Sequence, residues 1–258
     1  PDMAVARLSR AAARAEELYP GKAVDFWEKE FARVLDSRWF VPSTPIWANM
    51  GKTDRANQPG ACFVLDIQDD LYDMYQTLLD SAMITKSGGG IGYNFSRIRP
   101  QGDLVRSTKG KASGAVELIR LYDASAAMIK QGGVRRGAFM GILNCDHPEI
   151  EDFIRCKLSG EITNFNLSVG VSDEFMNRVA SDEQWELKFD GEVRKILAAR
   201  ELWEKIVSSA WACGDPGLIF LDRIQESNPI PGRPMNCTNP CGEQPLSPGE
   251  SCLLGSIN

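Results

Sequence analysis

From residue 61 onward, short and almost wholly apolar runs of strand length alternate with longer stretches of helical periodicity, an order that few folds accommodate. "ACFVLDI" (61–67), the run after the glycines of "SGGGIGYNFSRIRP", "AFMGILN" (138–144) and "NFNLSVGV" (164–171) read as buried strands. Between them the spacing predicts helices over 71–86, with Leu71, Tyr75, Leu78 and Ala82 on one face, over "GAVELIRLYDASAAMIK", and over "PEIEDFIRCKL", with Asp146 and Pro148 as its start signal. A helix from about 173, a short strand "WELKF" and a helix over 200–213 continue the series. Strands alternating with helices predict an α/β domain with mainly parallel strands, whose binding residues sit on loops at strand ends. Two helices precede it, over 3–18 and 23–35, the second with Trp27, Phe31, Val34 and Leu35 at helical spacing, before the prolines of "FVPSTPIWANMG" break the pattern.

With 258 residues and 43% hydrophobic content the chain can bury the core of one large domain or two small ones. A net charge of −6 argues against a general nucleic-acid binder, so any phosphate binding must be local. No apolar run reaches membrane-span length and "PDMAVARLSR" lacks the apolar core of a signal peptide, which predicts a cytoplasmic protein. Seven cysteines without disulfide-framework spacing are, in a reducing compartment, buried, metal-bound or catalytic thiols. The chain opens on Pro1 and stops in "CLLGSIN", a strand-like run with no turn signal after it, which predicts one half of a larger fold.

"TNPCGEQPL" (238–246) carries the sharpest chemistry. Pro240 and Gly242 exclude a helix interior, and in an extended loop the alternate side chains of Asn239, Cys241 and Glu243 would present an amide, a thiol and a carboxylate to one small polar molecule. "CTNPC" has the spacing of half a zinc site, but with His147 as the sole histidine a complete ligand set is hard to assemble, and an ordinary turn with an incidental thiol is the other alternative. "KSGGGIGYNF" lacks the G-x-G-x-x-G register, and "KGKAS" has Ala112 where a phosphate-binding loop needs Ser or Thr. What remains is a backbone bare enough for a ligand ring to lie against it, or a flexible strand entry. Arg99, Arg106, Lys109 and Lys111 form a local basic cluster, either a triphosphate site or a solvated face.

Read in order, "FVPSTPIWANMG", "ACFVLDIQDD", "KSGGGIGYNFSRIRP", "QGGVRRGAFMGILNCDHPEIEDFI", "NPCGEQPL" and "CLLGSIN" resemble the N-terminal half of the ribonucleotide reductase catalytic subunit, most like its adenosylcobalamin-dependent class. The resemblance implies the first parallel five-stranded half of a ten-stranded α/β barrel with a finger loop, over 41–258, preceded by a helical segment over 1–40. It implies Cys241 as the thiyl radical that takes the ribose 3'-hydrogen, Asn239 and Glu243 as holders of the ribose hydroxyls with Glu243 as base, and Cys62 with Cys252 as the pair that reduces the 2'-carbon and ends as a disulfide. Ser43, Thr44, Ala61 and Gly90 match substrate-side positions. Asp69, Arg99 and Arg106 match a deoxynucleoside triphosphate effector site, and Lys130, Gln131, Arg135 and Arg136 fall in the loop that relays effector identity.

The same resemblance implies a ribonucleotide substrate, adenosylcobalamin, a thioredoxin-like or dithiol reductant, a C-terminal half of the same enzyme and a homodimer, with no metal site, nucleic acid or membrane. Cys145, Cys156, Cys213 and Cys237 match no redox position. A non-catalytic nucleotide-binding regulatory module would explain the effector residues alone, but it needs none of Asn239, Cys241, Glu243, Cys62 and Cys252; a metal-binding structural protein is a third alternative.

Overall fold

A computed structural model describes residues 2–21, 23–54, 57–129 and 137–258. Its centre is a six-stranded sheet in the order Gly217–Phe220, Phe165–Val171, Phe139–Asn144, Gly90–Asn94, Cys62–Leu65, Ser251–Cys252. The first five are parallel to their neighbours, and Ser251–Cys252 lies antiparallel on the edge. Five strands adjacent in the order they occur, with no reversal, wind in one direction and carry their helices to one face, as in a barrel and unlike a doubly wound sheet.

Alternation along each strand sorts its side chains between two cores. Ile91, Tyr93, Phe139, Leu143, Phe165 and Leu167 face the helices and belong to the larger core. There the rings of Tyr93, Phe139 and Phe165 meet at centroid separations of 5.2 to 6.0 Å, inside the range of favourable aromatic contact. Cys62, Val64, Met140, Ile142 and Ile219 face the other way, into a smaller core closed by Cys237, Leu246 and Cys252. The second face is the one left for a site.

The helix Leu71–Lys86 has the predicted bounds, with the Asp70 carboxylate accepting from the backbone of Tyr72 and Asp73 at its start. Its buried face is the predicted one only in part, since Leu78 packs against the larger core and Ala82 is half-buried. Leu71 and Tyr75 are 70% and 56% exposed, whereas Thr77, Ser81 and Thr85 are buried. The small polar side chains are drawn in because the Tyr93 hydroxyl donates to Ser81 Oγ at 2.7 Å and Thr77 Oγ1 donates to the Asp66 carbonyl at 3.2 Å. Similarly, none of the Val24–Asp36 helix is buried, Trp27, Phe31, Val34 and Leu35 included, and the predicted 3–18 helix is α-helical over Asp2–Ala13 and 3-10 over Arg14–Leu18. The helix expected to start at Asp146 runs over Ile150–Arg155, because residues 147–149 form a turn in which the Glu149 N–H donates to His147 Nδ1.

"WELKF" is half of a hairpin, Gln184–Phe189 with Glu192–Ala198, whose partner strand is not among the predicted elements. Its two-residue turn, Asp190-Gly191, has φ of 50° and 77°, the left-handed pair that an Asp-Gly hairpin turn requires. "CLLGSIN" divides between the edge strand Ser251–Cys252 and Gly255–Ile257, which pairs antiparallel with Phe40–Pro42.

Candidate active site

The bare glycine face is occupied by the protein's own loop. Gly90 and Gly92 share a face of their strand, and a Cβ on Gly92 would overlap the Thr238 carbonyl oxygen and stand 3.1 Å from Cys237 Sγ. One on Gly90 would stand 2.6 Å from Pro240 Cγ. Two amides pin the loop: Asn94 Nδ2 donates to the Asn236 carbonyl and Asn166 Nδ2 to the Pro240 carbonyl, each at 2.8 Å. Neither asparagine was singled out in the sequence; the available signal was an amide on the same strand face as the glycines, two positions on from Gly92 in the case of Asn94.

The loop is a small hairpin, Cys237–Thr238 paired antiparallel with Pro245–Leu246, and that changes how its chemistry is displayed. Asn239, Cys241 and Glu243 do not project together as an extended loop would have them. Asn239 is fully buried, its Oδ1 accepts from Gln244 N at 3.0 Å, and its carbonyl accepts from Gly242 N at 3.0 Å. Its Nδ2 points to Cys62 Sγ at 3.7 Å. Cys241 and Glu243 are exposed at the tip, on either side of Gly242, whose φ of +85° makes the reversal that glycine tolerates best.

Beneath the loop, Cys62 and Cys252 are directly opposed in register across the antiparallel edge pair. Opposed residues have Cα atoms about 4.5–5.5 Å apart, which lies within the range a disulfide spans. Both are reduced and buried. Burial, then the adjoining Cys62 thiol, then the Glu243 carboxylate push the Cys252 thiol well above its ordinary range, so at neutral pH it is a neutral hydrogen donor. Glu243 at the tip thus acts electrostatically on the thiol pair below. Cys237 is buried in the same core and its thiol is raised by burial; Cys145 and Cys156 are buried elsewhere and Cys213 is exposed. Mild oxidation of the folded protein should give one disulfide, Cys62 to Cys252, with Cys241 outside it. Peptide mapping that finds Cys241 as the main partner of either residue would count against this arrangement.

The substrate-side positions fall in a chain around that pair. Ser43 N donates to the Leu254 carbonyl at 2.9 Å, Ala61 N to the Cys252 carbonyl at 3.0 Å, and Gly90 N to the Ala61 carbonyl at 2.9 Å. Ser43 Oγ is buried with no hydrogen-bond partner among the described residues, a cost of about 1–3 kcal/mol that a bound hydroxyl would relieve. Thr44, at the first turn of the Thr44–Asn49 helix, is exposed.

Asp69, Arg99 and Arg106 line a separate cavity of about 700 Å³. Asp69 Oδ2 accepts from Arg99 Nε at 2.7 Å, and Arg99 Nη1 donates to the Leu104 carbonyl at 3.1 Å. Of the adjacent acidic pair, Asp70 caps a helix and Asp69 is left for the cavity. Lys130, Gln131, Arg135 and Arg136 lie outside the described residues. Among the described residues no group of three or more His, Cys, Asp and Glu is placed to hold a metal ion, and no helix is long and apolar enough to cross a membrane.

Comparison with known proteins bears on the chain as a whole. The ribonucleotide reductase barrel domain model matches residues 60–258, and the ribonucleotide reductase all-alpha domain model matches residues 1–55. The chain is 46% identical over 243 residues to a vitamin B12-dependent ribonucleoside-diphosphate reductase of Thermoplasma acidophilum, covering 92% of this chain and 31% of that protein. It is 45% identical over 257 residues to a protein of the same name from Mycobacterium tuberculosis, covering 98% of this chain and 37% of the relative. A ribonucleoside-diphosphate reductase subunit alpha of Chlamydia muridarum is 30% identical over 273 residues, covering 90% and 26%. The chain thus spans about a third of the length of the curated relatives it matches.

Proposed function

Because the chain belongs to the ribonucleotide reductase family, we propose that it carries the thiyl-radical end of ribonucleotide reduction, as the first part of a longer catalytic unit. The observation that supports it most is one loop bearing an exposed thiol, Cys241, above a buried, register-opposed thiol pair, Cys62 and Cys252, with Asn239 touching the pair from the loop. In this assignment the Cys241 sulfur, as a thiyl, takes the substrate's 3'-hydrogen. Glu243, one residue beyond Gly242 at the same tip, accepts the 3'-hydroxyl proton. The 2'-hydroxyl leaves as water, and Cys62 and Cys252 supply the two electrons and two protons, ending as a disulfide. The 3'-hydrogen then returns from Cys241. Ser43 Oγ, Ala61 and Gly90 border the substrate, the first as the one unpartnered buried hydroxyl beside the pair.

The relatives are named as vitamin B12-dependent, which supports adenosylcobalamin as the proposed radical source. Where it binds, it would have to act on the exposed Cys241 thiol at the hairpin tip. A dithiol or thioredoxin-like protein is the proposed reductant of the Cys62–Cys252 disulfide, and the cytoplasm the proposed location. The division between a helical segment over 1–40 and a barrel portion from 41 is proposed on the same footing, supported by the pairing of Phe40–Pro42 with Gly255–Ile257.

The cavity at Asp69, Arg99 and Arg106 is proposed to bind a purine or thymidine deoxynucleoside triphosphate, its ribose at Asp69 and its phosphates at the arginines, with the 130–136 loop passing on the base identity. Beside it, Tyr72, Tyr75, Leu79 and Met83 leave an apolar seam open along one helix, each at least 55% exposed, which supports a homodimer packed there; light scattering that reports a single chain would exclude it. The double variant Arg99→Ala, Arg106→Ala should lose triphosphate binding by two or more orders of magnitude, since each lost charge-assisted contact costs about 1.5–3 kcal/mol. Equal affinity of wild type and variant in calorimetry would sink the effector assignment. Deoxyribonucleotide formation is the direct test of the reaction.

A further inference from the structure

The same cavity has a second wall that belongs to none of the matched motifs. It is the tip of the Gln184–Phe189/Glu192–Ala198 hairpin, which brings Phe189, Asp190, Glu192 and Arg194 opposite Arg99 and Arg106. The hairpin is anchored at its base: Trp185 and Leu187 are buried, Trp185 Nε1 donates to the Cys145 carbonyl at 2.9 Å and Lys188 N to the Asp146 carbonyl at 2.7 Å. Phe189 meets the buried His147 ring edge-on at 5.7 Å. The tip is therefore held over the cavity by the body of the domain. Two guanidiniums grip one short segment from opposite sides, Arg99 Nη1 on the Leu104 carbonyl at 3.1 Å and Arg194 Nη2 on Asp103 Oδ2 at 3.2 Å.

We propose that Arg194 is a third polyphosphate-binding guanidinium of this cavity, delivered by the hairpin and held by Asp103 and Glu192 until the phosphates of a nucleoside triphosphate displace them. The inference rests on the reading of the cavity as a nucleotide site and adds a residue and a wall to it. Charge supports it. The lining holds three arginines against Asp69, Asp103, Asp190 and Glu192, and two of the arginines, Arg99 and Arg194, stand in ion pairs that must open before a polyanion can use them. Arg194 is the arginine whose pairs open most readily. Its side chain is 37% exposed, against 24% for its Asp103 partner and 72% for its Glu192 partner, and the exposed Glu192 pair is worth only about 0–1 kcal/mol. Arg99, at 28% exposure, is tied to Asp69 and to a backbone carbonyl together. A guanidinium released from Asp103 meets phosphate with two parallel donors, a stronger pairing than the one it leaves. The anchored hairpin keeps the ordering cost low.

The test is calorimetric titration of the purified protein with dTTP and dTMP, for wild type, Arg194→Ala, Arg194→Lys and Asp103→Asn. Arg194→Ala should weaken dTTP about tenfold or more and leave dTMP nearly unchanged, Arg194→Lys should recover part of the loss, and Asp103→Asn, which removes the competing carboxylate, should tighten dTTP. Unfolding midpoints equal to wild type exclude a folding artefact at this exposed position. Equal dTTP affinity for wild type and Arg194→Ala, or an equal penalty on dTTP and dTMP, overturns the proposal. If wild type binds neither nucleotide, the effector reading itself fails, and Arg194 falls with it.

Discussion

Replacing Gly92 with alanine should dislodge the Cys237–Thr238 strand from the sheet and take with it both the stability of the smaller core and the placement of Cys241. Gly92 does not have a positive φ, so alanine meets no backbone strain there, and the loss of chain freedom in the unfolded state would favour the variant by about 0.4–1 kcal/mol. Sterics outweigh that gain. The new methyl would overlap the Thr238 carbonyl oxygen, with its carbonyl carbon at 3.0 Å and Cys237 Sγ at 3.1 Å, and the two nearest of these are backbone atoms that cannot turn aside. Overpacking against backbone costs about 1–3 kcal/mol and occasionally more, and here the strand is also pinned on either side of Thr238, at Asn236 by Asn94 and at Pro240 by Asn166, which limits how it can retreat. A shift of about 1 Å at the hairpin tip is enough to lower a positioned reaction about a hundredfold. Urea unfolding should show a destabilisation of about 2 kcal/mol or more, and mild oxidation should give less of the Cys62–Cys252 disulfide. A Gly92→Ala protein with wild-type stability and wild-type disulfide yield would mean that the loop does not rest on the glycine face.

That close approach marks the limit of what was legible in the sequence. The glycines announced a bare strand face, and the structure covers it with the chain's own backbone from some 146 positions later, a contact that no local pattern encodes. The opposition of Cys62 and Cys252 is likewise a matter of register between distant strands; motif order suggested it by family resemblance, and spacing alone could not. Local rules did well where local forces dominate. The Leu71–Lys86 helix begins at its Asp70 cap and ends as read, and the parallel sheet follows from the alternation of elements. They failed where a hydrogen bond outbids apolar pattern, as when Tyr93 draws Ser81 inward and leaves Tyr75 in solvent. The hairpin over 184–198 was legible, since Asp190-Gly191 is a strong turn signal, and its second strand lines the cavity at Asp69, Arg99 and Arg106. Alternation misjudged the 238–246 loop because a two-strand hairpin, closed by Asn239 on Gln244, sends one polar group inward and two outward.

That division of labour within the loop makes the substitution of Cys241 by serine the sharpest test of the chemistry. Cys241 is exposed at the hairpin tip, where a change of sulfur for oxygen should alter stability by no more than about 0.5 kcal/mol, so loss of activity cannot be put down to misfolding. In a protein joined to the further barrel half that the proposal calls for, and supplied with adenosylcobalamin and a dithiol, Cys241→Ser should make no deoxyribonucleotide and exchange no substrate 3'-hydrogen, because a hydroxyl holds its hydrogen too tightly to serve as the radical carrier. Cys62→Ser and Cys252→Ser should behave differently. Both positions are buried, and a hydroxyl at 62 can still accept from Asn239 Nδ2, so the loop should stay seated. With Cys241 intact, the first hydrogen abstraction and its exchange should survive, while the reduction stops for want of the second thiol. Closure by the further half also matters, since a substrate radical open to water is lost to side reactions. Deoxyribonucleotide from the Cys241→Ser protein, or loss of 3'-exchange in Cys62→Ser as complete as in Cys241→Ser with the fold intact, would reverse the roles assigned to the tip and to the pair beneath it.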